Sequence, residues 1–282
     1  MTAFLLISTG ILLLIAVPIG MAMGTASLLT ILQGGTLNAL IITQKLLSGV
    51  SKFSLLAIPM FTLAGEVMTL GGVSDKLIYL ANRVVGRFKG GLSMVTTLAC
   101  MFFGAISGSA SAAAAAVGSM IRDGAEEQGY DPAVTAATNA ASSCSGLLIP
   151  PSNALITYSL ASGGTSVAAL FMAGYVPGII WALACAVVGV ILAKKLGYKG
   201  TPGKFDWKNL GVCTLRALPS LSLIIVVIGG IVGGVFSATE GSAIAVVYAL
   251  ILAFCYRSIN LKSLWKIIVD SAKMSGMVVF LV

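Results

Sequence analysis

GAISGSASAAAAA (residues 104–116) and SSCSGLLIPPSN (residues 142–153) decide how this chain folds. Both lie inside long apolar stretches, yet neither suits a helix that faces lipid. The first is too small and too rich in hydroxyls. The second places Pro150 and Pro151 in the middle of membrane-like sequence. Backbone that leaves the helix at membrane depth is tolerated only where protein or an aqueous cavity satisfies it. Paired interruptions of this kind build ion and substrate sites from backbone oxygens. Transport is therefore the function the sequence points to first.

The surrounding composition agrees. Of 282 residues 58% are hydrophobic and 9% charged, against about 25% charged in a soluble domain. Runs near the ~20 residues needed to span a bilayer recur, most clearly at 1–23, 53–70, 167–192, 218–236 and 241–256. The expected class is an all-α polytopic membrane protein, since a β-barrel needs alternating polarity. The first run lacks a basic leader and continues into more apolar sequence, so it does not read as a cleaved signal peptide. The sequence contains no stretch that reads as a soluble domain.

With no histidine in the chain, the usual general base, metal ligand and pH switch are all missing. Cys100, Cys144, Cys185, Cys213 and Cys255 are scattered without a CxxC pair, which argues against zinc, iron–sulfur and disulfide frameworks. A serine protease built on Ser107 or Ser109 would need a Ser–His dyad, or a lysine at mid-membrane, and each lysine lies at a segment end or in a loop. The chain is not expected to be an enzyme. A passive channel fits broken helices, but no charged ring or repeated filter is visible.

The charge distribution sets orientation. The net charge is +8, from 17 basic and 9 acidic residues. Lys76, Arg83, Arg87 and Lys89 form one polar stretch and Arg122 a second. Lys194, Lys195, Lys199, Lys204, Lys208 and Arg216 form a third, and Arg257, Lys262, Lys266 and Lys273 a fourth. The connections 162–166 and 237–241 carry no Lys or Arg. If residues 91–121 return to the side they entered from, fifteen of the seventeen basic residues fall on one face, which the positive-inside rule makes cytoplasmic. Lys45 and Lys52 are the exceptions. Charges confined to short loops give no support to nucleic-acid binding.

Within 91–121, the arms 92–103 and 110–121 are each about 18 Å long as helix, too short to cross alone. They fit a re-entrant hairpin turning at Ser107-Gly108-Ser109, with the 112–116 alanines allowing close approach. A single small-residue helix fits the same composition, and charge sidedness does not choose between them. Residues 132–161 begin as a helix at Asp131-Pro132 and run to about Leu148. There Pro150-Pro151 remove two amide donors, and the helix restarts after Ser152-Asn153. Such a break presents a negative helix end to a cation and a positive one to a carboxylate; a plain proline kink is the simpler alternative. Asn139, Ser142, Ser143 and Ser145 are expected to face protein. Glu66 sits near the end of the 53–70 run, where pairing, reaching the interface and a proton-relay role are the open readings. Glu240 reads as a helix N-terminal acid. Residues 74–88 suit an amphipathic helix in the cytoplasmic interface.

Four stretches carry a likeness: LLAIPMFTLAGEVM (55–68), GAISGSASA (104–112), LLIPPSN (147–153) and FSATEGSAIAVVYAL (236–250). In order and spacing they resemble the large membrane subunit (DctM/SiaM-like) of tripartite ATP-independent periplasmic (TRAP) transporters, over nearly the whole chain. The resemblance implies an ion-transporter-superfamily elevator fold with a re-entrant hairpin and a broken helix in each of two inverted repeats. The chain would hold the first repeat and the start of the second. Residues 1–90 would form N-terminal scaffold helices and the interfacial helix, 91–166 the transport-domain hairpin and discontinuous helix, and 167–282 scaffold leading into an incomplete second repeat. Because the family pattern continues beyond the equivalent of residue 282, the sequence is expected to be truncated at its C-terminus.

By the same resemblance, the function is sodium-coupled secondary import of an organic acid anion, a dicarboxylate or sialic-acid-like compound, at the bacterial inner membrane. A stand-alone carboxylate carrier without a binding protein is the alternative. Partners would be a DctQ/SiaQ-like small four-helix membrane subunit and a DctP/SiaP-like periplasmic binding protein. Sodium would be held by Ser107, Gly108, Ser109, Gly146, Ile149, Pro150, Ser152 and Asn153, largely through carbonyls. Substrate would sit by Ser109, Ser111, Pro151, Ser152 and Asn153.

Overall fold

The computed structural model describes residues 1–35, 40–198 and 207–281, and these are helical with short connections. The apolar run 1–23 forms two helices where one was expected, α1 (Thr2–Leu14) and α2 (Ile19–Gly34). Pro18 is the reason. Its ring disfavours helix at the preceding residue and removes a donor, Ala16 takes φ 63°, and Pro18 becomes the N-cap of α2. Then α3 (Leu40–Val50) follows with no buried residue.

A 3₁₀ turn at Phe53–Leu56 leads into α4 (Ala57–Leu70). This helix packs on α12 (Ala238–Cys255) and α13 (Leu261–Leu281), and its Ile58, Phe61, Val67 and Met68 are buried in a core that also takes in residues of α11 (Trp207–Val232). The amphipathic segment is a helix, α5 (Val73–Val85), but protein covers its apolar face. Val73, Leu77, Leu80 and Ala81 are buried, and α5 packs on α11 and on the first arm of the hairpin. At α12 the start is fixed by a capping box: Ser237 Oγ accepts from Glu240 N at 3.3 Å, and Glu240 Oε2 accepts from Ser237 N at 2.7 Å. Glu240 is thus the helix N-terminal acid that its sequence position suggested.

The segment 91–121 is a hairpin, with arms longer than expected: α6 (Gly91–Ser107) and α7 (Ala110–Glu127). At 17 and 18 residues they measure about 26 and 27 Å, and α7 ends in charged residues. Residues 132–161 break as expected into α8 (Pro132–Leu148) and α9 (Asn153–Ala161). Asp131 caps α8, its Oδ1 accepting from Ala133 N at 2.7 Å. After the 162–166 connection comes α10 (Val167–Leu196).

Helix α10 has 30 residues, about 45 Å of rise, and so separates two ends of the bundle. At one end Gly90 packs on Val190 and Ala193, and the rings of Tyr130 and Tyr198 stack 4.1 Å apart. Tyr198 Oη also accepts from Asp131 N at 3.0 Å. The basic residues 83–89, 194 and 195 flank this end. Lys199 and Lys204 lie outside the described residues, as do the side chains of Lys208 and Arg216. At the other end Lys52 Nζ donates to Leu160 O at 3.4 Å, beside Val167. Lys52 is therefore a true exception to the charge sidedness. It caps the negative end of α9, a favourable place for a cation.

Among the described residues, three helical segments are long and apolar enough to span a bilayer, Phe53–Leu70, Val167–Leu196 and Ala238–Cys255. Val176, Ile180, Leu183 and Val187 on α10 are exposed, the surface a lipid-facing helix presents.

Candidate functional site at the hairpin tip and the helix break

The hairpin turn and the helix break touch. Gly108 closes the turn at φ 63°, a left-handed conformation that glycine adopts at little cost. Its carbonyl accepts from Asn153 N, the first amide of α9, at 3.3 Å. A Cβ added at Gly108 would lie 3.0 Å from Pro151 O and 3.2 Å from Asn153 N. The chain segments around Gly108 and Pro150-Pro151, some forty residues apart in sequence, thus form one locus.

Each helix that restarts here is capped by a serine. Ser109 Oγ accepts from Ala112 N at 3.3 Å, and Ser152 Oγ accepts from Leu155 N at 3.4 Å. Two helix N-termini and two C-termini therefore meet, and their half-charges of both signs face one another. Ser107 is buried; Ser109 N donates to its Oγ at 3.4 Å. Gly146, Ile149, Pro150, Pro151 and Ser152 are buried as well. Ser111 is exposed, its hydroxyl 3.0 Å from that of Ser109. Of the expected substrate contacts, Ser111 is exposed, Ser109 and Asn153 are half-buried, and Pro151 and Ser152 are closed off. The expected site residues converge on this locus, Ser111 at its rim.

Two features make the locus short of partners. Pro150 and Pro151 stand where the amides for Gly146 O and Leu147 O would be, so those carbonyls lack their helical donors. Asn153 Oδ1 is buried without a hydrogen-bond partner, although Asn153 Nδ2 donates to Thr62 Oγ1 at 3.2 Å. No group of three or more Cys, Asp or Glu suited to a metal occurs among the described residues. Neutral hydroxyl, carboxamide and carbonyl oxygens suit a hard cation of low charge; they do not suit a transition metal.

Sequence reading missed the packing that supports the locus: it named Gly146 only as a cation ligand and did not single out Gly65, Gly104 or Gly178. Gly65 of α4 seats Ser107: a Cβ there would come within 2.6 Å of Ser107 Cα. Gly104 of α6 and Gly146 of α8 pack backbone to backbone. On α10, Gly178 admits Ile149, whose Cγ1 would lie 2.5 Å from an added Cβ. In sequence each is one glycine among 33 in apolar surroundings, and which of them touch is not a local property. Deeper along the hairpin the polar residues of α8 do face protein. Ser142 and Ser145 are fully buried, and Asn139 Nδ2 donates to Ala114 O at 2.7 Å.

The chain matches the family described as "Tripartite ATP-independent periplasmic transporter, DctM component" over residues 6–282. It belongs to the DctM family. Members of this family are transporter permeases of the inner membrane and not enzymes. The chain is 49% identical to the uncharacterized protein YgiK of Salmonella typhimurium, covering 98% of itself and 63% of that protein. It is 38% identical to the C4-dicarboxylate TRAP transporter large permease protein DctM of Pseudomonas aeruginosa, covering 93% and 61%. It is 32% identical to the sialic acid TRAP transporter permease protein SiaT of Haemophilus influenzae, covering 96% and 44%. The chain thus spans roughly three-fifths or less of these relatives' lengths.

Proposed function

We propose that this DctM-family chain carries the first half of a sodium-coupled importer of organic acid anions. The observation that supports it is the junction of Gly108 and Asn153, where two helix breaks meet beside an unpartnered carboxamide oxygen. Sodium would be held there by the hydroxyls of Ser107 and Ser109, the carbonyls around Gly146 to Pro150, and Asn153. A bound sodium supplies positive charge that offsets the negative helix ends and attracts a carboxylate. The N-termini of α7 and α9 offer the substrate the complementary half-charge, with Ser109 and Ser111 at the open side.

In this reading the substrate is a dicarboxylate or a sialic-acid-like acid, as the names of the Pseudomonas and Haemophilus relatives state for those proteins. A small membrane subunit and a periplasmic binding protein complete the system. Residues 91–166 move as an elevator against scaffold at 1–90 and 167–282. The test is uptake by the full-length permease, reconstituted in liposomes with both partners. Uptake that needs an inward sodium gradient and the binding protein is expected. Uptake indifferent to sodium overturns the coupling, and flux at channel rates without the binding protein favours a passive pore.

A further inference from the structure

Thr62 lies on α4, away from every residue in which the sequence located the site. Its hydroxyl makes two hydrogen bonds. Oγ1 donates to Ile58 O at 2.8 Å, and it lies 3.2 Å from Asn153 Nδ2. A hydroxyl has one proton. With that proton committed to Ile58 O, Thr62 can offer Asn153 only lone pairs. Of the two ends of the Asn153 carboxamide, only the NH₂ end can face a lone pair. The oxygen is turned to the other side, where it is buried and has no partner.

Other contacts keep the pair in register. Thr62 is itself buried. Gly65, three residues on and so on the same face of α4, seats the Ser107 backbone. The Asn153 backbone amide is tied to Gly108 O at 3.3 Å. Main chain and side chain of Asn153 are thus both fixed, and the remaining freedom, rotation of the amide by half a turn, is decided by Thr62.

We propose that Thr62 is a positioning residue that sets the Asn153 carboxamide with its oxygen toward the cation site. This rests on the sodium reading above. Residue 62 falls in the segment assigned to the scaffold, so the hydrogen bond spans the proposed division and sets the amide in the arrangement of this structure. Thr62 touches neither cation nor substrate and acts through Asn153. A valine at 62 has nearly the same shape but no lone pair. The amide then loses its directing acceptor, and the half-turn that points NH₂ at the cation becomes accessible.

The experiment uses the full-length permease with its membrane subunit, as Thr62→Val, Thr62→Ser and Asn153→Ala. Two quantities are read: the sodium concentration that half-saturates uptake, and the sodium-dependent rise in melting temperature of the purified protein, which needs no transport. Thr62→Val is expected to raise half-saturating sodium about three- to tenfold, the range for one directing hydrogen bond. The maximal rate should be largely kept, and Thr62→Ser should restore the wild-type curve. If Asn153→Ala loses the sodium response while Thr62→Val keeps it unchanged, the positioning role is overturned and the sodium site stands. If Asn153→Ala also responds as wild type, the sodium site at this locus is overturned and the role of Thr62 with it. If Thr62→Val is unstable, Thr62→Ala replaces it, and a sodium curve like wild type again overturns the proposal.

Discussion

Gly104 of α6 and Gly146 of α8 lie with their backbones in contact: a Cβ on Gly104 would come within 2.1 Å of Gly146 Cα, and one on Gly146 within 2.3 Å of Gly104 Cα. This crossing holds the hairpin against the broken helix less than one turn from the Ser107–Ser109 tip and just before the Pro150-Pro151 break. Gly104→Ala or Gly146→Ala must therefore push α6 and α8 apart. Each is expected to cost about 1–3 kcal/mol, the usual range for overpacking. Gly124→Ala in α7 is the control, since nothing lies within 4 Å of a Cβ there; it should be neutral or stabilising by up to about 1 kcal/mol. Thermal unfolding in detergent compares them.

Asn139 joins α8 to α7 by its bond to Ala114 O at 2.7 Å. Asn139→Ala should destabilise by about 1–2 kcal/mol. Asn139→Asp should cost more, because it sets a carboxylate oxygen against a carbonyl. An aspartate variant that melts with the wild type would show that the hydrogen bond contributes nothing.

Sodium binding at the tip has a signature that does not depend on transport. A ligand that binds the folded state stabilises it by RT ln(1 + [L]/Kd), about 2.7 kcal/mol at one hundred times Kd. Sodium should raise the melting temperature of the permease, whereas potassium and choline at equal ionic strength should not. Equal shifts with all three would remove the case for a selective site.

Orientation can be read chemically. With the exposed Cys144 and Cys255 replaced, a cysteine at position 52 should react with a membrane-impermeant maleimide added to whole spheroplasts. One at position 89 should react only after lysis. The reverse pattern would invert the topology derived from the basic stretches and from the placement of Lys52 beside Leu160.

The two interruptions were legible because their causes are local. Gly108 supplies the left-handed turn. Pro150 and Pro151 withhold amides wherever they are placed. Asp131, Ser237 and Glu240 announce helix starts by short-range capping. Where local rules mislead, as for residues 1–23, the residue responsible is again local: Pro18 ends what hydropathy alone would continue. The amphipathic pattern of 74–88 was also real. Its partner was not readable, because periodicity states that a face must be covered and not what covers it.

The sequence by itself determined the class of the protein, the positions of its helix breaks and the end of the bundle at which most of its charge collects. These follow from side-chain chemistry and from the backbone limits of glycine and proline, which act within a few residues. Only the tertiary structure decided that Gly108 meets Asn153, that Gly104 meets Gly146 and that Thr62 accepts a hydrogen bond from an amide ninety-one residues away. Such contacts depend on how whole helices cross. A crossing is fixed by the sum of many small packing terms along both helices, of which no single stretch of sequence carries more than a part.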